Sequence, residues 1–145
     1  MPPVPPFLEI AVIWNDEDLQ EVLISASSGI FSGQVNLYAG WNKLEEISER
    51  LHGFPSSRDD KREFTLGQSN LSGYGTARLT LYCTNSTGHV AVEVALSTNP
   101  ANPAEGKESA VVIIAAVVGD IDRFAADLRS ISNQIGASAV LRSAA

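Results

Sequence analysis

Hydrophobic and polar side chains alternate in three short runs along the first forty residues, with the period of half-buried β-strands. The first run predicts a strand with one wholly apolar face, formed by Leu8, Ile10, Val12 and Trp14. Similar runs follow at residues 22–26 and 31–37, each after a turn rich in Asp, Asn, Ser or Gly. Because the connections are short, we expect these strands to form an antiparallel meander.

The hydrophobic period changes at Gly40, where apolar side chains begin to recur at helical spacing. The predicted helix ends at Gly53 and Pro55, which suit a helix C-terminus. Its apolar stripe comprises Trp41, Leu44, Ile47, Leu51 and Phe54. Three carboxylates give the opposite side an acidic character: Glu45, Glu46 and Glu49.

A second group of strands follows this helix, beginning with a weak run at residues 62–68. The runs at 77–84 and 89–96 are separated by a four-residue loop and predict a β-hairpin. With Thr84 paired to His89, the large aliphatic side chains of both strands fall on one face. The opposite face then carries Arg78, Thr80, Tyr82, His89 and Glu93.

The last third of the chain contains the apolar run Ala110–Val118, which we expect to be a central strand covered on both faces. Asp120 is the predicted N-cap of a second amphipathic helix, whose apolar stripe reaches Ile135 before Gly136. The ends of the chain are predicted to be an extended Pro-rich lead-in at residues 1–7 and a loose tail at 137–145.

The predicted order is therefore βββα–ββββα, with about seven strands in a mostly antiparallel sheet and two amphipathic helices packed on it. This makes residues 8–136 a single α+β domain. Each half ends in a strand, a glycine and a helix, with Gly40 and Gly119 at the junctions. An internal duplication would produce this pattern, but the side-chain identity between the halves is too low to establish one.

Composition excludes several functional classes. The 145 residues carry a formal net charge of −7, which argues against nucleic-acid or anionic-membrane partners. No apolar run approaches the roughly 18–20 residues of a membrane span. The chain has one cysteine and no recognisable secretory signal, so we expect a cytoplasmic protein without an internal disulfide.

No motif in the chain predicts catalysis, a metal or a cofactor. Cys83 and His89 would point to opposite faces of the hairpin, so they do not form a thiol and base pair. The two histidines, His52 and His89, show no zinc-ligand spacing. Gly73-Tyr74-Gly75 precedes a strand and not a helix, so it lacks the geometry of a phosphate loop. We therefore expect a protein that is not an enzyme.

The outward face of the hairpin is the most distinctive polar surface, and we call its candidate binding residues, Arg78, Tyr82, His89 and Glu93, the hairpin face. Cross-strand neighbours lie about 5 Å apart, so these side chains can meet. An ordinary solvated sheet face is the simplest interpretation of this surface. Tyrosine and arginine are common interface anchors, so a surface for a protein partner is the main alternative, followed by a small-molecule site and an unfamiliar enzyme site.

Several local patterns resemble a known group of proteins. These are Phe31-Ser32-Gly33, the helical spacing from Trp41 to Leu51, Gly75-x-Ala77 and Gly88-His89-Val90-x-Val92. Between Leu8 and Ile131 the chain is similar to small uncharacterised bacterial proteins grouped with the immunity proteins of polymorphic-toxin systems, including the WapI-type family. The resemblance implies a bacterial, cytoplasmic, non-enzymatic protein that binds and blocks a cognate toxin domain, with no catalytic residues to transfer.

The acidic balance is compatible with such a partner. The helix carboxylates Glu45, Glu46 and Glu49, together with the turn Asp16–Asp18, would steer the protein towards a basic cleft. The alternative function is a small-ligand-binding or accessory domain with a pocket between the helices and the sheet. The sequence leaves self-association open.

Overall fold

A computed structural model describes residues 5–68 and 73–142 and shows an α+β fold, as predicted. The strands and helices are β1 (Phe7–Asn15), β2 (Leu19–Ser27), β3 (Ser32–Gly40), α1 (Lys43–Arg50), β4 (Lys61–Leu66), β5 (Thr76–Cys83), β6 (His89–Ser97), β7 (Ser109–Val117), α2 (Val118–Ile131) and β8 (Ser138–Arg142), with a 3₁₀ turn at Pro103–Glu105. The order of the first seven strands and both helices is confirmed. No helix within the described ranges is long and apolar enough to cross a membrane.

The strands form two antiparallel sheets of four strands each, where the sequence predicted one sheet of about seven. Sheet A has the order β3-β2-β1-β8, and sheet B has the order β4-β5-β6-β7. The two halves of the chain follow one plan: a three-stranded meander, a helix, and a fourth strand that pairs with the first strand of the other half. Each half therefore completes the sheet of the other.

The core lies between these two sheets and the two helices. One continuous apolar cluster takes side chains from the inner faces of both sheets and from one side of each helix. The helices also contact each other, since Ser48 Oγ donates a hydrogen bond to the Ala125 carbonyl at 2.7 Å. Burial of each large aliphatic side chain contributes about 1.5–3 kcal/mol. The closely packed helix pair therefore ties the two halves together.

The predicted loose tail at 137–145 is wrong for most of its length. Residues Ser138–Arg142 form β8, which pairs with β1, and Ala139 and Leu141 are each 1% exposed. The segment is five residues long and has only one large inward side chain, Leu141, so its alternation did not stand out from irregular structure. The predicted lead-in at 1–7 overlaps β1 at Phe7, and its residues 1–4, like 143–145, lie outside the described residues.

The apolar run at 110–118 is not a central strand. β7 lies at the edge of sheet B and pairs with β6. Val112 and Ile114 face the core, but Val111 and Ile113 point outwards with 56% and 51% of their surfaces exposed. The prediction failed because both faces of β7 are apolar, so the pattern carries no signal for which face is covered.

The start and end of α2 also differ from prediction. The N-cap is Val117, and Asp120 lies inside the first turn. The Asp120 carboxylate accepts a hydrogen bond from the Val117 N–H at 3.1 Å and pairs with Arg123. The helix ends at Ile131, and Ile135 is left exposed. A carboxylate in the first turn still satisfies an unpaired backbone N–H and favours the helix dipole.

Candidate functional site

The hairpin face has the register that the sequence predicted. Tyr82 lies opposite Ala91, and the Thr84 N–H donates to the His89 carbonyl at 3.0 Å. Arg78 and His89 are exposed. Cys83 packs against the core and points away from His89, as expected.

The charges of this surface are balanced. Lys61 and Glu63 of β4 add one charge of each sign to those of Arg78 and Glu93. The His89 ring lies 3.0 Å from the Asn85 amide, within its own turn. The outer surface of this sheet therefore carries no net charge. That the hairpin face binds a partner stays a prediction.

The acidic side of α1 is largely neutralised by local cations. Glu46 lies 3.7 Å from the Lys43 ammonium and 3.5 Å from the Arg50 guanidinium. Glu49 pairs with Arg129 of α2 at 3.2 Å. Glu45 has no ion pair within the described residues. These pairings leave α1 a weaker source of negative potential than its sequence suggests.

The outward face of sheet A contains a tryptophan that the sequence placed in the core. A bulge at Ile13 inserts one residue into β1, so that Trp14 lies opposite Glu21 with 41% of its surface exposed. The prediction that Trp14 shares the buried face of Val12 is therefore wrong. A bulge turns the following side chains to the other face. The five consecutive apolar residues at 10–14 interrupt the alternation of apolar and polar positions, and this is the sequence feature that could have revealed the bulge.

Trp14 begins a row of three aromatic rings across this face. Its ring meets that of Tyr38 edge-on, with centroids 6.0 Å apart at an angle of 78°. Tyr38 in turn contacts Tyr74, with centroids 4.5 Å apart and the two hydroxyls at 3.5 Å. Edge-on and tilted ring pairs of this kind contribute about 0.5–1.5 kcal/mol each beyond burial. The row therefore forms an ordered aromatic surface.

Tyr74 reaches this row because Gly75 lets its loop approach β3 closely. The Gly75 N–H donates to the Asn36 carbonyl at 2.8 Å. A Cβ at Gly75 would lie 2.7 Å from the Ser97 carbonyl oxygen and 2.8 Å from the Val35 Cβ, distances that side chains do not adopt. A residue with a side chain would therefore not fit at position 75 without displacing the backbone. Sequence patterns do not indicate that Tyr74 meets Tyr38, because this contact joins a loop to a strand that is distant in the chain.

Carboxylates surround the aromatic row. Asp16, Glu17 and Asp18 occupy the exposed turn after β1, and Glu21 lies beside Tyr38. The backbone N–H groups of Leu19 and Asp18 donate to the Asp16 carboxylate at 2.8 Å each, which lowers its pKa. We call these side chains the acidic-aromatic face: Trp14, Asp16, Glu17, Asp18, Glu21, Tyr38 and Tyr74.

The charge of this face is not compensated nearby. Residues 1–42 contain five carboxylates and no lysine or arginine, so they account for −5 of the net −7. None of these five has an ion-pair partner within the described residues. Arg142, at the far edge, is the one cation that the described strands of sheet A carry. The face therefore presents an uncompensated negative potential around an aromatic centre.

Tyr38 stays protonated in this environment. Its hydrogen bond with Tyr74, burial, and the nearby charges of Glu21 and Asp16 raise the pKa of Tyr38 to about 12. A cleft of about 390 Å³ opens beside the row, lined by Glu21, Asn36 and Tyr74 among others. The face can thus offer aromatic surface, a neutral phenol and carboxylates to a partner.

A second concavity lies between the two helices. This groove of about 890 Å³ runs between the end of α1, the 51–55 segment and α2. Leu51, Phe54 and Ala125 contribute apolar surface, and His52 and Asp122 are among its polar lining residues. The groove differs from the predicted pocket because helices and a loop form it, without a sheet.

Among residues 5–68 and 73–142, no group of three or more Cys, His, Asp or Glu side chains is arranged to hold a metal ion. Comparison of the chain with known protein families, with curated proteins and with solved structures finds no match.

Proposed function

We propose that this protein is a non-catalytic binding protein that docks a basic protein domain on its acidic-aromatic face. An immunity-type protein that binds and blocks a cognate bacterial toxin domain is the specific form of this proposal. The observation that carries it is the collection of uncompensated carboxylates around the Trp14–Tyr38–Tyr74 row.

The two components of the face serve different steps of association. The carboxylates raise the rate of encounter with a basic surface, and they do so over a distance of about one Debye length. The partly exposed rings supply the contact area, because tryptophan and tyrosine bury large apolar surfaces with little loss of conformational freedom. An arginine or lysine of the partner can also stack on the rings. A basic active-site cleft meets both requirements.

A capture experiment with matched charge variants tests the proposal. Tagged wild-type protein from the source cells is compared with the triple variant Glu17→Lys, Asp18→Lys and Glu21→Lys. The control triple carries the same change in charge elsewhere: Glu63→Lys, Glu93→Lys and Glu105→Lys. Bound proteins are identified by mass spectrometry, and the partner's activity is then assayed with each purified variant.

We expect a stoichiometric basic partner that the wild type and the control triple capture and inhibit, and that the acidic-aromatic triple loses. Equal capture by both triples would place the docking surface elsewhere. Loss only in the control triple would favour the hairpin face, because Glu93 belongs to it. A partner that is bound but continues to act at full rate would support binding and contradict the immunity role.

A second function, binding of a small ligand, is favoured by the groove between the helices. Its volume of about 890 Å³ falls within the range of ligand sites, and it combines apolar walls with polar groups at His52 and Asp122. A thermal-shift screen with metabolites tests this function, since a ligand that binds only the folded state raises the Tm. Replacing Ala125 with Phe should abolish such a shift by filling the groove.

A further inference from the structure

β7 forms an open, apolar border of sheet B. Within the described residues, no backbone hydrogen bond joins it to any strand other than β6, so one side of its backbone is free. Val111, Ile113 and Ala115 point away from the core and are exposed. A free strand edge with apolar side chains is a template for pairing with another strand.

The other three sheet borders are protected against such pairing. β4 exposes Lys61 and Glu63, β3 is met by a loop whose Gly75 N–H donates to the Asn36 carbonyl, and β8 is only five residues long. β7 has nine residues without a charge, proline or glycine, and its register with β6 is unbroken. Natural edge strands usually carry one of these protecting features. β7 is therefore the one border of the two sheets, within the described residues, that lacks all of these features.

We propose that β7 pairs antiparallel with β7 of a second copy of this chain, about a two-fold axis at Ile113. In this register Val111 of one copy lies opposite Ala115 of the other, and Ile113 lies opposite itself. Directly opposed residues of an antiparallel pair point to the same face, so the exposed apolar side chains merge into one patch. The two B sheets become one eight-stranded sheet along an edge roughly 30 Å long.

Charge favours a second copy as the occupant of this edge. The net charge of −7 opposes self-association through sheet A, whose carboxylates would face each other. β7 has no charged side chain, and Lys61 and Arg78 balance Glu63 and Glu93 on the rest of the sheet surface. A basic partner finds no carboxylate on β7 to attract it.

The ends of the strand are also compatible with the two-fold arrangement. Lys107 precedes β7, and antiparallel pairing directs it towards the start of α2 in the other copy. Glu108 directly follows Lys107, so the two charges before β7 balance and neither end of the interface places like charges in excess. Such an isologous contact closes on itself and forms a dimer, leaving both acidic-aromatic faces outside the interface. The inference is independent of the proposed function.

The mass of the full chain in solution tests this inference. Sedimentation equilibrium should give about twice 15.4 kDa for the wild type and the monomer mass for Ile113→Lys. Thr65→Lys places the same charge on the exposed side of β4, at the opposite border of sheet B, and should remain dimeric. A monomeric wild type up to about 1 mM, the weak limit of specific association, would overturn the proposal. So would a dimer that Ile113→Lys leaves intact.

Cross-linking tests the register. In a Cys83→Ala background, Ile113→Cys should form a covalent dimer on mild oxidation, because the two residues 113 face each other at the axis. Thr65→Cys is the matched control and should stay monomeric under denaturing conditions. Equal cross-linking of the two variants would contradict the register. Unfolding curves for each variant show whether a loss of dimer reflects a loss of fold.

Discussion

Sheets A and B follow the same plan but present opposite kinds of outer surface. In both sheets the strand that completes the sheet comes from the other half of the chain. Sheet A displays uncompensated carboxylates and an aromatic row, whereas sheet B displays balanced charges and an apolar edge. The inner faces are apolar in both, so the shared plan is set by the core and the differences lie on the surface. This separation lets one fold carry two unlike outer surfaces.

We call β4 and β8 the exchanged strands, because each completes the sheet of the other half of the chain. The segments that connect α1 to β4 and α2 to β8 differ in a similar way. After α1, Arg62 donates to the carbonyls of Arg50 and His52 and pairs with Asp60 at 2.8 Å. After α2, the link is made by neutral amides instead: the buried Gln20 accepts from the Asn133 N–H at 3.1 Å. The first link therefore depends on charge and the second does not. The difference provides a pH test for distinguishing the halves.

The largest expected effect comes from removing a buried leucine from either exchanged strand. Leu66→Ala in β4 and Leu141→Ala in β8 should each lower the free energy of unfolding by about 2–5 kcal/mol, because both side chains are 1% exposed. Urea denaturation measures both values. Val140→Ala, half-buried on the other face of β8, should cost less than about 1 kcal/mol. A Leu141→Ala variant as stable as wild type would mean that β8 is not part of the core.

The second effect concerns the two aromatic candidates for binding. Trp14→Ala should weaken partner binding by about 2 kcal/mol, or roughly 30-fold, because interface tryptophans commonly act as anchors. Tyr82→Ala on the hairpin face is the matched control and should change affinity less than threefold. Calorimetric titration with the captured partner measures both affinities. The reverse order of effects would transfer the binding role to sheet B.

The third effect concerns Gly75, whose close contact with β3 places Tyr74 beside Tyr38. Gly75→Ala should destabilise the fold by about 1–3 kcal/mol, because its Cβ would collide with the Ser97 carbonyl and Val35. It should also weaken partner binding by displacing Tyr74 from Tyr38. Gly53→Ala separates conformational strain from collision: its φ is +74°, but nothing lies within 4 Å of an added Cβ. It should lower stability while leaving affinity unchanged.

The smallest effect is the pH dependence of the charged link. The hydrogen bond from Arg62, with further support from Ser56, lowers the pKa of Asp60 from 3.8 to about 2. Since the folded-state pKa is the lower one, this contribution is present above about pH 4 and is lost as the pH falls towards 2. Asp60→Asn should remove about 1 kcal/mol of stability at neutral pH, a value reduced by contact with solvent. It should also flatten the acid limb of the stability curve.

Urea unfolding at several pH values compares Asp60→Asn with Gln20→Leu. The Gln20→Leu variant loses amide hydrogen bonds, so its stability should fall by a similar amount at every pH. Stability curves of wild type and Asp60→Asn that stay parallel from pH 7 to about pH 2 would exclude Asp60 as a source of acid sensitivity.

Sequence periodicity predicted the elements whose two faces differ in polarity. The hairpin register around Tyr82 and the buried positions Leu44 and Ile47 of α1 are such cases, because each has one polar side that marks the solvent. Trp41, predicted for the same stripe, precedes the helix and is 51% exposed. Periodicity failed at β7, where both faces are apolar, and at β8, where the segment is short. In those places exposure is decided by which other element covers the strand, which is a long-range property.

The candidate site was harder to predict than the fold. The carboxylates at 16–18 are visible in the sequence as a cluster. Regular alternation places Trp14 in the core, and this prediction is wrong because one bulged residue turns its side chain to the outer face. The approach of Tyr74 to Tyr38 depends on packing between a loop of one half and a strand of the other. The pattern of residues near Tyr38 or near Tyr74 therefore cannot predict that the two rings meet. The acidic side of α1 was visible, yet its neutralisation by Arg129 of α2 was not.

The most direct test of the central claim is the fluorescence of Trp14 during partner binding. Trp41→Phe leaves Trp14 as the single tryptophan of the chain, so its emission reports on the acidic-aromatic face alone. Titration with the captured partner should shift the emission to the blue and protect it from quenching by neutral acrylamide, because the half-exposed ring becomes buried. Emission and quenching that stay unchanged at saturation would show that the partner binds another surface, and would contradict the account.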